Sequence, residues 1–269
     1  MNVQYHAIAC SVQSIVLTTQ RKLRILDRLK KTGQVIAKDL SQEFALSEDT
    51  IRRDLRELAA EGLLQRVHGG ALPASPAMGN FTARMSVATA EKIAIGRAAA
   101  AMIETNHVVI LDGGTTSVQI ARHIAPARKA TVVTHSPTIA LELVNHAAIE
   151  VILIGGRLFK HSAVAVGAPA IEAIGRVHAD IYFMGVTGIH IDTGLTTGDF
   201  EEAHVKRALS AAAAETIVLG SSEKLNATSP YLVAPLSEAT AIIVAANVKR
   251  KILAPFAKAG IHIIRAGDT

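Results

Sequence analysis

Seven short runs rich in valine and isoleucine recur between residues 108 and 264 and place the strongest constraint on the fold. They lie at residues 108–111, 131–133, 151–154, 181–184, 217–219, 241–244 and 261–264. Continuous apolar runs of this length are typical of strands buried on both faces. Helical candidates lie between many of them, at residues 117–124, 138–144, 201–214 and 248–259. The alternation predicts an α/β fold in which a mainly parallel sheet carries helices on both faces.

Residues 19–72 have a different pattern, which predicts three helices followed by a hairpin. Apolar residues recur at helical spacing in residues 20–31 and 37–44, and a turn at residues 45–46 precedes a third helix. Ser47 is a good N-cap for that helix, and Gly62 suits the left-handed residue that ends it. The pattern is that of a winged helix-turn-helix domain, in which the second helix of the motif enters the major groove of DNA.

The third helix carries the side chains that would read DNA. Its apolar residues fall on one face, so its arginines point outward. An arginine fork can bind a guanine edge or clamp a phosphate. The residues expected to contact double-stranded DNA are Ser47, Thr50, Arg52, Arg53 and Arg56 on the helix and Arg66 and His68 in the wing. The alternative is a solvated, arginine-bearing helix in another kind of small helical domain.

Composition and charge support a division into two domains. Residues 1–72 contain 11 Lys and Arg against 8 Asp and Glu, so this short segment carries +3 of the chain's net +5. A concentration of positive charge suits phosphate contacts, although this excess is modest. Residues 73–80 include two prolines and a glycine and have no periodic apolar face. We therefore expect a DNA-binding domain at 19–72, a linker at 73–88 and an α/β domain at 89–269 that opens with an alanine-rich helix.

Several other classes of protein are disfavoured by the sequence. A single cysteine, Cys10, allows no intramolecular disulfide and suits a reducing cytoplasm. The apolar run at residues 7–17 is interrupted by polar residues and has no basic segment before it, which argues against a signal peptide or a membrane span. The histidines lack short ligand spacing, so we expect neither a metal nor another cofactor.

Three loops that follow the first three strands have the chemistry of a ligand site. Ligands of open α/β sheets collect at the carboxyl ends of strands, where backbone N–H groups and hydroxyls can hold a phosphate. The candidates are Asp112, Gly114, Thr115 and Thr116 in the first loop, Thr134 and His135 in the second, and Gly155 and Gly156 in the third. The alternative is that the glycines only allow tight turns.

In both parts the chain resembles the DeoR family of bacterial transcriptional regulators. The N-terminal resemblance rests on Ser-x-x-Thr-Ile-Arg-Arg-Asp-Leu at residues 47–55, Gly-Leu at 62–63 and Arg-x-His-Gly-Gly-Ala at 66–71. The C-terminal resemblance rests on Asp-x-Gly-Thr-Thr at 112–116, Gly-Gly at 155–156 and a Glu-Ala-x-Val-Lys-Arg pattern at 202–207. Two departures are His135, where the family usually has Asn, and Ser221, where it usually has Asp.

The resemblance implies a regulator, by default a repressor of a carbohydrate operon, with a C-terminal domain similar to sugar-phosphate isomerases and CoA-transferases. It also implies a phosphorylated sugar or related metabolite as effector, and a homo-oligomer that is a dimer or a tetramer. Lys224 and the loop of Thr115 and Thr116 are the candidates for the phosphate. Glu202 and Lys206, four residues apart, are explained equally well by ligand contact and by a helix ion pair.

Two other functions remain open from the residues alone. An isomerase would need a carboxylate base and an electrophilic lysine, which Asp112, Glu202 and Lys224 could supply. Fusion to a DNA-reading domain favours sensing over catalysis, so we assign no catalytic residue. A structural or interaction protein without an effector would show no change in melting temperature with any phosphorylated metabolite, whereas a bound ligand stabilises the native state.

Overall fold

The computed structural model describes residues 4–267, with side chains described from Thr18 onward. The chain divides into two compact units, Met1–Ala74 and Ser75–Thr269. The elements of the first unit are α1 (Gln4–Thr32), β1 (Val35–Ile36), α2 (Ala37–Phe44), α3 (Glu48–Ala60), β2 (Leu64–Val67) and β3 (Gly70–Pro73).

The first unit confirms the predicted winged helix-turn-helix arrangement. Strands β2 and β3 form an antiparallel hairpin, and β1 adds to the outer side of β3. The hydroxyl of Ser47 accepts a hydrogen bond from the backbone N–H of Thr50, as an N-cap does. Ala45 after α2 and Gly62 after α3 both have positive φ, which ends each helix sharply. The buried core includes Ile25, Leu40, Ile51, Leu55 and Leu58.

The second unit contains seven helices and twelve strands among the residues that the structure describes. They are α4 (Phe81–Met85), α5 (Thr89–Ala101), β4 (Val108–Leu111), α6 (Thr115–His123), β5 (Ala130–Thr134), α7 (Pro137–Leu143), β6 (Ile149–Leu153), β7 (Arg157–Phe159), β8 (Val164–Val166), α8 (Ala168–Ile174), β9 (Ala179–Met184), β10 (Gly188–His190), β11 (Gly194–Thr197), α9 (Phe200–Ala211), β12 (Ala213–Gly220), β13 (Tyr231–Ala234), β14 (Ala241–Ala245), α10 (Arg250–Lys258) and β15 (His262–Ala266).

The seven predicted strands form one sheet, in the order β15-β14-β12-β9-β4-β5-β6. Every pairing in it is parallel. Alternate residues of the strands enter two separate cores, since Ile110 and Tyr182 lie in one and Leu111 and Phe183 in the other. Helices α5, α6 and α7 cover one core and α8, α9 and α10 cover the other. The predicted α/β class with helices on both faces is therefore confirmed.

Two small antiparallel sheets were not predicted from the sequence. Strands β7 and β8 form a hairpin, and β10, β11 and β13 form a three-stranded sheet. Their strands are only three or four residues long. Such segments give too few alternations for a periodic signal.

The segment assigned to a linker contains ordered structure. It includes a 3-10 turn, Pro76–Met78, and helix α4. Ser75 and Asn80 cap these elements through their side chains, and the Ser75 hydroxyl also donates to the backbone carbonyl of Thr187. The elements are stabilised by caps and tertiary contacts, including the packing of Phe81 on a core of the sheet domain, rather than by a periodic apolar face. The composition of the segment therefore did not reveal them.

Candidate functional site

The candidate site lies where the direction of strand addition in the sheet reverses. From β4 the chain adds β5 and β6 on one side, and β9 pairs with the other side of β4. Loops leaving adjacent strands at such a point diverge and open a crevice. Asp112 follows β4 and Gly185 follows β9, and the Gly185 N–H donates to the Asp112 carboxylate at 2.8 Å.

Asp112 is the centre of a buried hydrogen-bond network. One carboxylate oxygen accepts from the Gly113 N–H at 2.8 Å and from Nε2 of His135 at 2.9 Å. The other accepts from the Tyr182 hydroxyl at 2.9 Å and from Nζ of Lys206 at 2.6 Å, in addition to the Gly185 N–H. The Asp112 side chain is inaccessible to solvent. It therefore holds the loops after β4, β5 and β9 together.

The charges of this network are compensated. Burial opposes ionisation of Asp112, but Lys206 and His135 overcome it and hold the pKa of this carboxyl well below its usual range. Burial likewise opposes the charge on Lys206, yet the neighbouring carboxylates of Asp112 and Glu202 raise its pKa. Nζ of Lys206 lies 3.2 Å from Glu202, so these two residues form an ion pair along the helix, and both also line the cleft described below.

Both ring nitrogens of His135 face hydrogen-bond acceptors. Nε2 faces the Asp112 carboxylate, and Nδ1 lies 2.9 Å from the carbonyl oxygen of Ala165. These two oxygens lie on opposite sides of the ring and fix its orientation. His135 is fully buried behind Asp112, so it supports the loop. Thr134 is also structural, because its hydroxyl donates to the carbonyl of Leu111.

A polar cleft opens on the solvent side of Asp112. The first turn of α6 forms one wall, and its N-cap residue Gly114 offers no side-chain cap, so no cap side chain occupies its first N–H groups. Gly113 precedes this turn, and a Cβ there would lie 2.0 Å from Cγ1 of Val164. The polar and charged residues around the cleft are Arg84, Lys92, Thr115, Thr116, Ser117, Thr187, Thr197, Glu202, Lys206, Glu223 and Lys224.

The cleft has three cations besides Lys206, one of which, Lys92, lies 3.9 Å from Glu223. Burial lowers the pKa of Lys224 to about 8, although Glu223 beside it acts in the opposite direction. Burial also lowers the pKa of Lys92, with the charge of Arg84 adding to the effect. The pKa of Arg84 is lowered by burial as well. The site thus holds positive charges at a cost, as a site for an anion does.

Several buried polar atoms around the cleft have no hydrogen-bond partner. They are Nε and Nη2 of Arg84, Oγ of Ser117, Oγ1 of Thr197 and Oε2 of Glu223. An unsatisfied buried polar group costs about 1–3 kcal/mol. Of the six such side-chain atoms among the residues the structure describes, five belong to residues of this cleft. Their convergence indicates a place where a polar ligand would supply the missing partners.

The free space in the cleft is small. It amounts to about 20 Å³, roughly the room for one water molecule. A second cavity of about 100 Å³ adjoins it and shares Ala77, Arg84, Thr187 and Glu202 with the cleft. His161 and Ser162 line this second cavity. A ligand that extends from one cavity to the other would pass between Arg84 and Glu202.

The structure brings together most of the effector residues expected from the sequence. Gly114, Thr115, Thr116, Glu202, Lys206 and Lys224 line the cleft. Asp112 lies directly beneath it, and Thr134 and His135 lie behind Asp112. Gly155 and Gly156 are exposed and lie outside the cleft, where Gly156 packs close to the carbonyl of Val166. Sequence reasoning missed Arg84, Lys92, Thr187, Thr197 and Glu223.

The residues expected to read DNA lie at the surface of the first unit, where Ser47 is exposed and Thr50 is half-buried. Arg52, Arg53 and Arg56 are exposed on α3, and Arg66 and His68 are exposed at the wing. Arg52 is paired with Glu48 at 2.6 Å and with Asp49 at 3.4 Å. These are solvent-exposed pairs of the kind that contribute little stability.

Helix α3 is held by a bidentate ion pair with α1. Nε of Arg21 lies 2.5 Å from one oxygen of Asp54, and its Nη2 lies 3.0 Å from the other. The side chain of Asp54 is almost fully buried. The hydrogen bond to this carboxylate raises the pKa of Arg21. Asp54, which follows the arginine pair of the sequence motif, thus positions the helix rather than contacting its target.

Comparison with known proteins establishes the family. Residues 21–76 match the DeoR-like helix-turn-helix domain, and residues 87–246 match the DeoR C terminal sensor domain. The chain belongs to the DeoR family. Both halves of the chain are therefore accounted for by one family of regulators.

Relatives of this DeoR-family chain match it along most of their length. The HTH-type transcriptional regulator GlpR of Haloferax volcanii is 32% identical over 251 residues, covering 93% of this chain and 98% of that protein. The glycerol-3-phosphate regulon repressor of Escherichia coli strain K12 is 33% identical over 192 residues, which cover 71% of this chain and 76% of that protein. Like these relatives, the chain is a transcriptional regulator rather than an enzyme.

A solved structure of ribose 5-phosphate isomerase A from Methanocaldococcus jannaschii matches 49% of this chain and 52% of its own, with 15% identity and a TM-score of 0.37. In the described part of this DeoR-family chain, no helix is long and apolar enough to cross a membrane. Residues 18–267 also contain no cluster of three potential metal ligands.

Proposed function

We propose that the chain is a DNA-binding repressor of a carbohydrate catabolic operon, and that a phosphorylated sugar or related metabolite bound in the cleft controls its affinity for DNA. Such a regulator acts in the cytoplasm, where the chromosome is accessible. An effector can change DNA affinity only through its difference in affinity for the two states of the regulator.

The cluster of unpartnered polar atoms carries the effector proposal. A phosphate offers several acceptor oxygens, which suit the N–H groups of α6, the guanidinium of Arg84 and the ammonium groups of Lys92 and Lys224. Glu202 and Ser162, at the border with the second cavity, have acceptors and donors suited to sugar hydroxyls. The chemistry therefore favours a ligand with a phosphate at one end and hydroxyls at the other.

A thermal unfolding screen tests the effector class. The panel would pair glucose 6-phosphate with glucose and glycerol 3-phosphate with glycerol, with inorganic phosphate as a further probe. A phosphorylated compound should raise the melting temperature, whereas its unphosphorylated counterpart should not. Lys224→Ala should abolish the shift, and Lys258→Ala on the exposed end of α10 should not. A panel in which no phosphorylated compound raises the melting temperature would rule out this effector class.

The DNA proposal rests on the exposed arginines of α3 and the wing. We propose that Ser47, Thr50, Arg52 and Arg53 approach the major groove, and that Arg56, Arg66 and His68 contact the backbone. To reach DNA, Arg52 must leave Glu48 and Asp49, which costs little because these pairs are exposed. Titration of DNA from upstream of its own gene, beside a scrambled duplex and at several salt concentrations, tests this. Selective binding with a steep salt dependence is expected.

The regulator is further proposed to act as a homo-oligomer. A two-fold symmetric assembly presents two reading helices to two half-sites about one turn of DNA apart. Light scattering coupled to size-exclusion chromatography would give the mass directly. A mass of one chain at the concentrations that bind DNA would contradict the proposal.

A further inference from the structure

The cleft is closed by a short segment that follows the first unit directly in the chain. Residues 75–85, called the strap here, comprise the turn Pro76–Met78 and helix α4. Ala77 and Arg84 of the strap line the cleft, and its turn packs beside the 3-10 turn that carries Lys224. Only Ala74 separates the strap from Pro73, the last residue of the wing strand β3.

The strap is tied to the sheet domain by a few identifiable hydrogen bonds. The Ser75 hydroxyl donates to the carbonyl of Thr187. The N–H of Phe81 donates to the carbonyl of His161 at 2.8 Å. Nζ of Lys92 donates to the carbonyl of Arg84 at 2.7 Å. In contrast, the opposite walls of the cleft continue from β4 and β9, which are paired on both sides in the centre of the sheet.

An effector larger than the free space of the two cavities would need a wall of the cleft to move. The two cavities together provide about 120 Å³, the sum of about 20 and about 100. Ligand pockets usually provide roughly 300 Å³ or more. The walls on β4 and β9 are fixed by the network around Asp112. The strap lies outside the sheet and is attached by the hydrogen bonds above and by packing of Phe81 on one core, so it is the wall that can yield.

An entering anion also competes directly for the groups that hold the strap. Lys92 is buried, and its ammonium donates to the Arg84 carbonyl while lying 3.9 Å from Glu223. A phosphate is a stronger acceptor than a carbonyl, so it would draw Lys92 away from the strap. The guanidinium of Arg84 has two buried donor atoms without partners and would bind the same phosphate.

We propose that the effector displaces the strap and that Arg84 is a residue that contacts the effector's anionic group. This inference rests on the proposed function of the cleft. Lys92 exchanges the carbonyl of Arg84 for the anion, and the Ser75 and Phe81 hydrogen bonds are lost as the strap moves outward. Since the strap is joined to β3 through one residue, its displacement moves the segment that connects the sheet domain to the DNA-binding unit.

Amide hydrogen exchange of the intact protein tests this proposal. Exchange in inorganic phosphate is compared with exchange in chloride at equal ionic strength, and exchange with glucose 6-phosphate is compared with exchange with glucose. The strap amides, including that of Phe81, should exchange about tenfold faster with the phosphate-bearing probes, as expected for the loss of one or two hydrogen bonds. The first-turn amides of α6 should be protected in the same samples. Protection in α6 without any change in the strap would overturn the strap proposal and leave the effector site standing. No change in either segment would overturn both.

Two variants with matched controls sharpen the test. Arg84→Ala should weaken binding of the phosphate-bearing probe about tenfold, whereas Arg97→Ala, exposed on α5, should not. Ser75→Ala keeps Arg84 and removes the bond to Thr187, so it should lower several-fold the probe concentration needed to release the strap. Ser86→Ala, whose hydroxyl bonds only locally to Ala83, is its control. The proposal would be refuted if Arg84→Ala bound the probe with unchanged affinity and Ser75→Ala released its strap at an unchanged probe concentration.

Discussion

Replacing Lys224 by methionine should stabilise the sensor domain while abolishing its response to phosphorylated compounds. Lys224 is buried, with 6% of its surface exposed, and burial lowers the pKa of its ammonium from 10.5 to about 8. Its Nζ donates to the carbonyl of Leu219 at 3.1 Å. Methionine fills a similar volume without a charge, so Lys224→Met isolates what the buried charge costs.

The expected gain follows from these two interactions. A fall in pKa from 10.5 to about 8 corresponds to about 3 kcal/mol of unfavourable free energy for the charged form in the folded protein. Loss of the hydrogen bond to Leu219 offsets about 1 kcal/mol of the gain. A net stabilisation of about 2 kcal/mol remains at pH 7. For a unit of this size it raises the melting temperature by roughly 4–8 °C.

The pH dependence gives a separate check. Because the pKa is lower in the folded state, the penalty is fully present below about pH 8 and disappears as the pH rises to 10.5, the value for an unburied lysine. The advantage of Lys224→Met should therefore shrink between pH 8 and 10.5. Thermal unfolding at pH 7, 8, 9 and 10, with Lys258→Met as the exposed control, measures it. A variant less stable than the wild type at pH 7, or a difference independent of pH, would refute the reasoning.

Three further substitutions probe other parts of the molecule. Asp54→Ala should lower the free energy of unfolding of the first unit by about 2–3 kcal/mol in urea, because it leaves the partly buried Arg21 unpaired. A smaller loss would mean that this ion pair does not hold α3. Gly113→Ala should abolish the melting-temperature response to phosphorylated compounds, because the added Cβ would lie 2.0 Å from Cγ1 of Val164. The double variant Gly113→Ala with Val164→Ala should restore the response. Failure of this rescue would contradict the steric cause. If Arg53 contacts a phosphate, Arg53→Ala should reduce by about 1 the slope of the logarithm of DNA affinity against the logarithm of salt concentration. If Arg53 reads a base, the variant should lose specificity at one base pair. An anisotropy titration that shows neither effect would remove Arg53 from the interface.

Much of the fold could be predicted because its signals are local. The inner strands of the large sheet are buried on both faces, so each contains a continuous apolar run that can be recognised without knowing its neighbours. The edge strands β6 and β15 are partly exposed but keep short runs of valine, isoleucine or leucine. Helix α2 and the cap at Ser47 depend on residues within one turn of each other. The strands of the two small sheets carry no comparable signal, because they are short and depend on partners distant in the sequence.

The candidate site was only partly predictable for a related reason. Gly114 and Thr115 could be found because they follow a recognisable strand and open a helix. His135 lies equally close to a strand end, yet its side chain turns inward to Asp112, and a pattern of residue types does not specify that direction. The position after a strand thus predicts which loops meet, whereas the rotamers and the packing decide which side chains face the ligand.

Arg84 shows most clearly why composition alone failed. Residues 73–88 have the prolines, glycine and small residues of a linker, and a guanidinium among them would be expected in solvent. The Asn80 cap and the bond from Phe81 to His161 instead form α4, which buries the guanidinium beside the cleft. A buried arginine with unpartnered donors destabilises the fold on its own. The anion proposed for the cleft would give these donors acceptors and would offset that cost.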